Sequence, residues 1–209
     1  MPKTVLLHNY ISLLKFTHPP TSLTSVQSSL KRMRTRKSHF DTVIKNYKEK
    51  IDNSIDFTTE INGISETLKL HRHEQLNPYP NITFPSSPLK FLPPHLLHYS
   101  DNSILSSHID SVRYSGPSVS VLTLKGEAKL RLKVAEVEEV DFKLTPEFGG
   151  VKFLEELRVV VERENNGVIE LDIKEGEGYI LTGISRYLME HEVVGDGERV
   201  AVVFRDEVI

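Results

Sequence analysis

Histidines and carboxylates are the side chains of this chain most able to do chemistry. Eight of the nine histidines lie at or before His108, so His191 stands alone in the C-terminal part. His71 with His73, and His95 with His98, have spacings that invite a metal reading. Side chains two apart diverge on a helix but share a face of a strand, and three apart suits one helical turn. Neither pair has a carboxylate beside it as a third ligand, and the surrounding segments read as linker. The sequence therefore favours exposed, polar histidines and names no metal ligand.

Acid–base catalysis needs two carboxylates in different environments. Glu136, Glu138, Glu139 and Asp141 are dense, as are Glu155 and Glu156, but they alternate with apolar residues and read as the solvent face of strands. His191 between Glu190 and Glu192 reads as a surface helix position. Glu175-Gly176-Glu177-Gly178 lacks a dinucleotide fingerprint, and its acids would repel phosphate. There is no cysteine, which excludes thiolate nucleophiles, thiolate metal sites and disulfides. The expectation is a protein with no catalytic residue and no cofactor, more plausibly a non-enzyme than an enzyme.

Charge is divided along the chain. Residues 1–126 carry 15 Lys/Arg against 9 Asp/Glu, and residues 127–209 carry 11 against 20, so balances of +6 and -9 restore the net -3. Two unlike surfaces follow. Residues 1–40 hold seven basic residues and no acid, the composition of an organellar import segment. Lys31, Arg32, Arg34, Arg36 and Lys37 form a possible basic contact patch; Arg32 and Arg36 share a helical side, a weak signal for nucleic acid.

The stretch from Val26 to Leu70 reads as the element that organises the rest. Alternate steps of three and four residues from Leu30 pass Met33, Lys37, Phe40, Ile44, Tyr47 and Ile51, then reach Ile61 and Leu68. Apolar residues at that spacing are the seam of a coiled coil. Leu30, Met33, Phe40, Ile44, Tyr47, Ile51, Ile61 and Leu68 are the expected interface with a protein partner or a second copy. The stripe needs such a partner, because propensity alone stabilises an isolated helix little.

The expected organisation is a basic segment over 1–23, a long helix or coiled coil over 24–76, a proline-rich linker over 77–94 and an acidic α+β domain over 95–209. Pro78, Pro80, Pro85, Pro88, Pro93 and Pro94 forbid a helix in the linker. Period-two patterns then predict a mainly antiparallel sheet: Val119 and Val121; Leu130, Leu132 and Val134; Val140, Phe142 and Leu144; and Val200, Val202 and Phe204. Leu157, Val159 and Val161 read as one arm of a hairpin turning at Glu164–Gly167, because Asn and Gly tolerate positive φ. Ile184, Tyr187, Leu188 and His191 predict a short helix within Tyr179–Val194. No apolar run approaches the roughly 18 residues of a membrane span. An intracellular protein is expected, in nucleus, cytoplasm or an organelle matrix.

The order of coil, linker and small domain resembles the plan of RWD-type kinetochore subunits, by architecture alone. That resemblance implies a non-enzymatic scaffold or adaptor that assembles through its coil and docks partners with its α+β domain. Alternatively, Tyr187-Leu188-Met189-Glu190, Gly195-Asp196 and the strand Arg199–Arg205 resemble the end of the plastid lipid-associated (fibrillin) proteins, with Met189 where that family has Asp. That likeness implies an organellar β-barrel holding a lipid or other apolar ligand.

Overall fold

A computed structural model describes residues 13–17, 44–51, 92, 95–143 and 149–207. They form nine strands and two α-helices: β1 (Leu13–Thr17), β2 (Ile44–Ile51), β3 (His95–His108), β4 (Ser118–Lys125), β5 (Ala128–Val134), α1 (Gly150–Asn165), β6 (Ile169–Ile173), β7 (Glu177–Thr182), α2 (Gly183–Tyr187), β8 (Met189–Val194) and β9 (Arg199–Arg205). All pairing is antiparallel, in the order β1-β7-β4-β9-β3-β8-β5-β6, with β2 on β3. β3 belongs to both halves of the sheet. Its start pairs with β9, Leu97 opposite Ala201, and its end pairs with β8, Leu105 opposite Val193. Inward residues of the two halves, among them Val121 and Val203 from one and Leu130 and Val193 from the other, share one core. The result is a jelly-roll-like sandwich.

The chain crosses between halves at nearly every turn. β4 pairs only with β7 and β9, yet the next strand, β5, pairs with β6 and β8. Gly126 makes that crossing at φ 79, and a Cβ there would lie 2.5 Å from the Glu198 carbonyl oxygen. β4 is buried on both faces: Val119 and Val121 join the core, and Leu122 and Leu124 on its other side are also inaccessible. Its buried residues, Ser118 to Leu124, are accordingly apolar or small hydroxyl-bearing side chains with no charge among them.

Among the described residues the long N-terminal helix is not found. Ile44, Tyr47 and Ile51 lie in β2, whose backbone pairs with β3 from Ile44 opposite Leu105 to Ile51 opposite His95. A register shift between Lys45 and Tyr47 breaks the alternation that betrays a strand, so the sequence shows a helical spacing where the backbone is extended. The paired strand supplies ladder hydrogen bonds that local pattern does not reveal. Leu30, Met33, Phe40, Ile61, Leu68 and the patch Lys31, Arg32, Arg34, Arg36 and Lys37 lie outside the described residues, as do His71 and His73.

The expected hairpin at Glu164–Gly167 is a helix terminus instead. Leu154, Leu157 and Val161 bury one face of α1, while Val159 is 66 % exposed. Leu154, Leu157 and Val161 recur at helical spacing, and burying each such side chain stabilises by roughly 1.5–3 kcal/mol. Asn166 and Gly167 adopt positive φ (50 and 80) as the helix cap, because the left-handed conformation serves a helix end as well as a tight hairpin. Val140 and Phe142 lie outside any strand, after a 3-10 turn over Val137–Glu139. α2 occupies only Gly183–Tyr187, so His191 sits on a strand. The carboxylates of β6 and β8 are not a bare acidic face. Glu170 pairs with Lys129 (2.9 Å) and Arg131 (2.8 Å), and Glu190 with Lys133 (2.9 Å). Among the described residues no helix is long and apolar enough to cross a membrane.

Candidate metal centre and active site

Three metal-ligating side chains converge inside the sandwich. His108 ends β3, Asp110 follows two residues later, and His191 lies on β8. One potential ligand atom from each lies within 4.8 Å of the other two, and no other such cluster occurs among the described residues. Groups sharing one ion at about 2.1 Å each lie up to about 4.2 Å apart, the same scale. Asp110 and His191 are 6 % and 5 % exposed.

Strand phase explains the convergence. Met189, His191 and Val193 of β8 point inward, while Glu190 and Glu192 make ion pairs outside. On β3, Leu105 faces the core, so strict alternation would turn His108 outward. A register shift between Leu105 and His108 restores it to the interior, opposite His191. The imidazole centroids are 4.3 Å apart. Ser107 takes the outward place and donates to Glu190 at 2.7 Å.

Neighbouring groups set the ligand atoms. His108 Nδ1 lies 2.7 Å from the Ser106 carbonyl, which can only accept, so in the neutral ring the tautomer with the proton on Nδ1 and the lone pair on Nε2 is favoured. Arg205 Nη2 donates to Asp110 Oδ1 at 3.3 Å, leaving Oδ2 toward His191 Nε2 at 3.8 Å. Burial raises the Asp110 carboxyl, but Arg205, His191 and Arg186 outweigh it and hold it well below the usual carboxylate range. Burial, reinforced by His108, pushes His191 down to about 3 despite Asp110. Both groups are therefore in metal-binding form at neutral pH, an ionised carboxylate and a neutral imidazole.

A narrow cleft of about 20 Å3 runs from this cluster past Tyr99, Tyr179 and Arg199. β9 reads Arg-Val-Ala-Val-Val-Phe-Arg, and its inward phase carries Arg199, Ala201, Val203 and Arg205. Arg199 is 3 % exposed and lies 4.8 Å over the Tyr99 ring. Its Nε has no hydrogen-bond partner, and no carboxylate of the described residues pairs with it. A buried guanidinium without an anion is costly, so this end of the cleft suits an anionic ligand. Burial pushes the Tyr179 hydroxyl above its ordinary range and keeps it a proton donor.

Sequence reading missed His108, Asp110, Arg199 and Arg205, and put His191 on a helix surface. Two signals were available: His108-x-Asp110 at a strand end, and arginines in phase with the buried residues of an alternating strand. Of the other histidines, His98 lies in an exposed cluster with Glu198 (2.7 Å) and Lys125, away from the cleft, and His95 lies at the start of β3.

The chain matches no protein-family model and no curated protein by sequence. Its fold does match solved structures. A prolyl-4-hydroxylase from Pseudomonas putida matches at TM-score 0.58 and 15 % identity, over 94 % of this chain and 92 % of that one. OsALKBH1 matches at TM-score 0.59 and 12 % identity, over 95 % and 98 %. HygX from Streptomyces hygroscopicus, solved with nickel and 2-oxoglutarate bound, matches at TM-score 0.55 and 14 % identity, over 98 % and 86 %. This chain has the fold of those proteins.

These findings overturn the scaffold expectation. The assembly helix is absent where the described residues test it, and the sandwich interior holds a buried His–Asp–His set in a fold shared with a hydroxylase. The expectation that the chain is more plausibly not an enzyme falls with it. The apolar-ligand barrel is not supported either, because His108, Asp110, His191, Arg199 and Arg205 share the cleft with its leucines and valines. The segment compared with fibrillins thus contributes cations to this interior.

Proposed function

We propose that the protein is an Fe(II)- and 2-oxoglutarate-dependent oxygenase. The observation that carries this reading is the cluster of two histidines and one aspartate, of which Asp110 and His191 are buried and His108 half-buried. Such a set binds one face of a non-haem iron and leaves positions open for substrate chemistry. The shared fold supports it, as does the nickel and 2-oxoglutarate bound by HygX.

His108, Asp110 and His191 would hold the iron, and Arg199 with Tyr99 and Tyr179 would hold the far carboxylate of 2-oxoglutarate. Iron so ligated supplies oxygen activation coupled to oxidation of the bound keto acid. Arg199 would bind the carboxylate through charge-assisted hydrogen bonds, which relieves its unpaired burial. Arg205 fixes Asp110 by one oxygen and leaves the other for the metal. The valines and leucines lining the cleft keep bulk water from the reacting end.

The test is succinate formation from 2-oxoglutarate by purified full-length protein under oxygen, with and without Fe(II). Iron-dependent turnover that disappears in His191→Ala and Arg199→Met is expected. Turnover that is absent in the wild type, or unchanged in both variants, refutes the reading.

A further inference from the structure

Arg186 stands outside the cleft and yet is almost inaccessible, 2 % exposed. It belongs to α2, and its hydrogen-bond partners are backbone carbonyls. Nη1 donates to Asp110 at 2.7 Å, while Nη2 donates to Ser115 at 3.1 Å and weakly to Ser111 at 3.4 Å. The guanidinium also lies 5.1 Å from the centre of the Tyr187 ring. Among the described residues no carboxylate makes a direct ion pair with it. Attraction to the Asp110 and Asp206 carboxylates offsets the cost of burying this cation only in part, and a Leu or Met would fill the volume more cheaply. The arrangement makes sense only if its two-pronged geometry is needed.

That geometry joins the two parts of the metal cluster. The loop 110–115 closes on itself through Ser115 N to Ser111 O (3.1 Å), and Arg186 grips it at both ends. On the other side, Gly116 N donates to the Asp206 carbonyl at 2.8 Å, and a Cβ on Gly116 would lie 2.3 Å from the Glu207 carbonyl oxygen. Five residues after Arg186 comes His191. The intervening chain is fixed by Leu188 N to Ile184 O (2.9 Å) and Ala135 N to Leu188 O (3.0 Å). α2 itself is held by a reciprocal capping box between Thr182 and Ser185.

We propose that Arg186 is a positioning residue for the metal centre, clamping the Asp110 loop against the turn that delivers His191. A planar fork can span carbonyls from two ends of one loop, which a single ammonium cannot. Removing it leaves the buried carbonyls of Asp110 and Ser115 without donors, so the loop shifts and carries the carboxylate with it.

This inference rests on the metal reading of His108, Asp110 and His191. The experiment is Co(II) titration of full-length wild type, Arg186→Met and Arg186→Lys, following the visible absorption of the bound ion below the melting temperature of each protein. Loss of groups behind the ligands weakens metal binding by about 10–100-fold. Arg186→Met is expected in that range with altered Co(II) bands. Arg186→Lys keeps charge and bulk, so it folds, and should bind with an intermediate loss and its own altered bands. Wild-type affinity and spectrum in either folded variant overturn the positioning role, however much thermal stability is lost. If Arg186→Met does not fold, Arg186→Lys decides alone. A wild type that binds no Co(II) overturns this inference and the metal reading together, which separates the two failures.

Discussion

Asp110→Asn tests whether the buried cluster is a metal centre or a satisfied polar core. Asn keeps the size of Asp and an oxygen for Arg205 Nη2, which lies 3.3 Å from Oδ1 in the native protein. It removes the anion that would bind a divalent ion. For wild type in metal at 100 times its dissociation constant, linkage adds about 2.7 kcal/mol to stability. At roughly 2–4 °C per kcal/mol for a chain of this size, the melting temperature should rise by about 5–11 °C. If the variant binds about 100-fold more weakly, the same metal concentration adds only about 0.4 kcal/mol, or about 1–2 °C. The assay is thermal unfolding by circular dichroism with and without Mn(II) or Ni(II). The metal-induced increment is compared, because the apo variant also loses stability through Arg205, whose side chain is only 13 % exposed. An increment equal to wild type in Asp110→Asn would place the metal elsewhere and refute the reasoning.

Arg199→Met should raise the 2-oxoglutarate concentration for half-maximal stabilisation of the metal-loaded protein by about 10–150-fold, since a hydrogen bond to a charged group contributes about 1.5–3 kcal/mol; Mn(II) affinity should not move, and an unchanged 2-oxoglutarate midpoint would argue against its role. In the metal-free protein, His191 titrates near 6.5 when unfolded and at about 3 when folded, so the unfolded state binds more protons between those values. Stability is therefore present above about pH 6.5 and falls as pH drops toward 3, by up to about 1.4 kcal/mol per pH unit; urea midpoints against pH should flatten in His191→Gln, and an identical slope contradicts neutral burial. Leu154→Ala, at a site with no exposure, should cost about 2–5 kcal/mol in urea unfolding while leaving metal affinity of the folded protein intact. Gly116→Ala should destabilise by more than 1 kcal/mol, because a Cβ would meet the Glu207 carbonyl at 2.3 Å; a neutral change in the urea midpoint would show that the loop is free to move.

The pattern was legible wherever one physical rule acted alone. Period two marks β4 and β5, the latter at Leu130, Leu132 and Val134, because each has neighbours that punish a register slip, whereas on β9 the alternating Val200, Val202 and Phe204 fall on the face opposite the cleft. The same rule fails at β2, where a bulge hides the alternation, and the helical spacing of Ile44, Tyr47 and Ile51 survives by coincidence. It fails again at α1, where Asn166-Gly167 marks a helix end rather than a hairpin turn. His191 was visible as an isolated histidine. Its partner carboxylate was not, because Asp110 lies 81 positions away (191 minus 110) and nothing local pairs them.

By itself, then, the sequence determined composition, the absence of thiol chemistry and the inward phases of β4 and β5, since these follow from single residues and their neighbours. Only the tertiary structure decided which strands face each other, and with that which side chains meet in the candidate site. Arg199 and Arg205 look like ordinary charged residues until β9 is seen to point them into the core. His108 looks outward until the bulge after Leu105 turns it inward. A metal centre is a meeting of atoms from distant strands, and its formation depends on non-local pairing that no local spacing encodes.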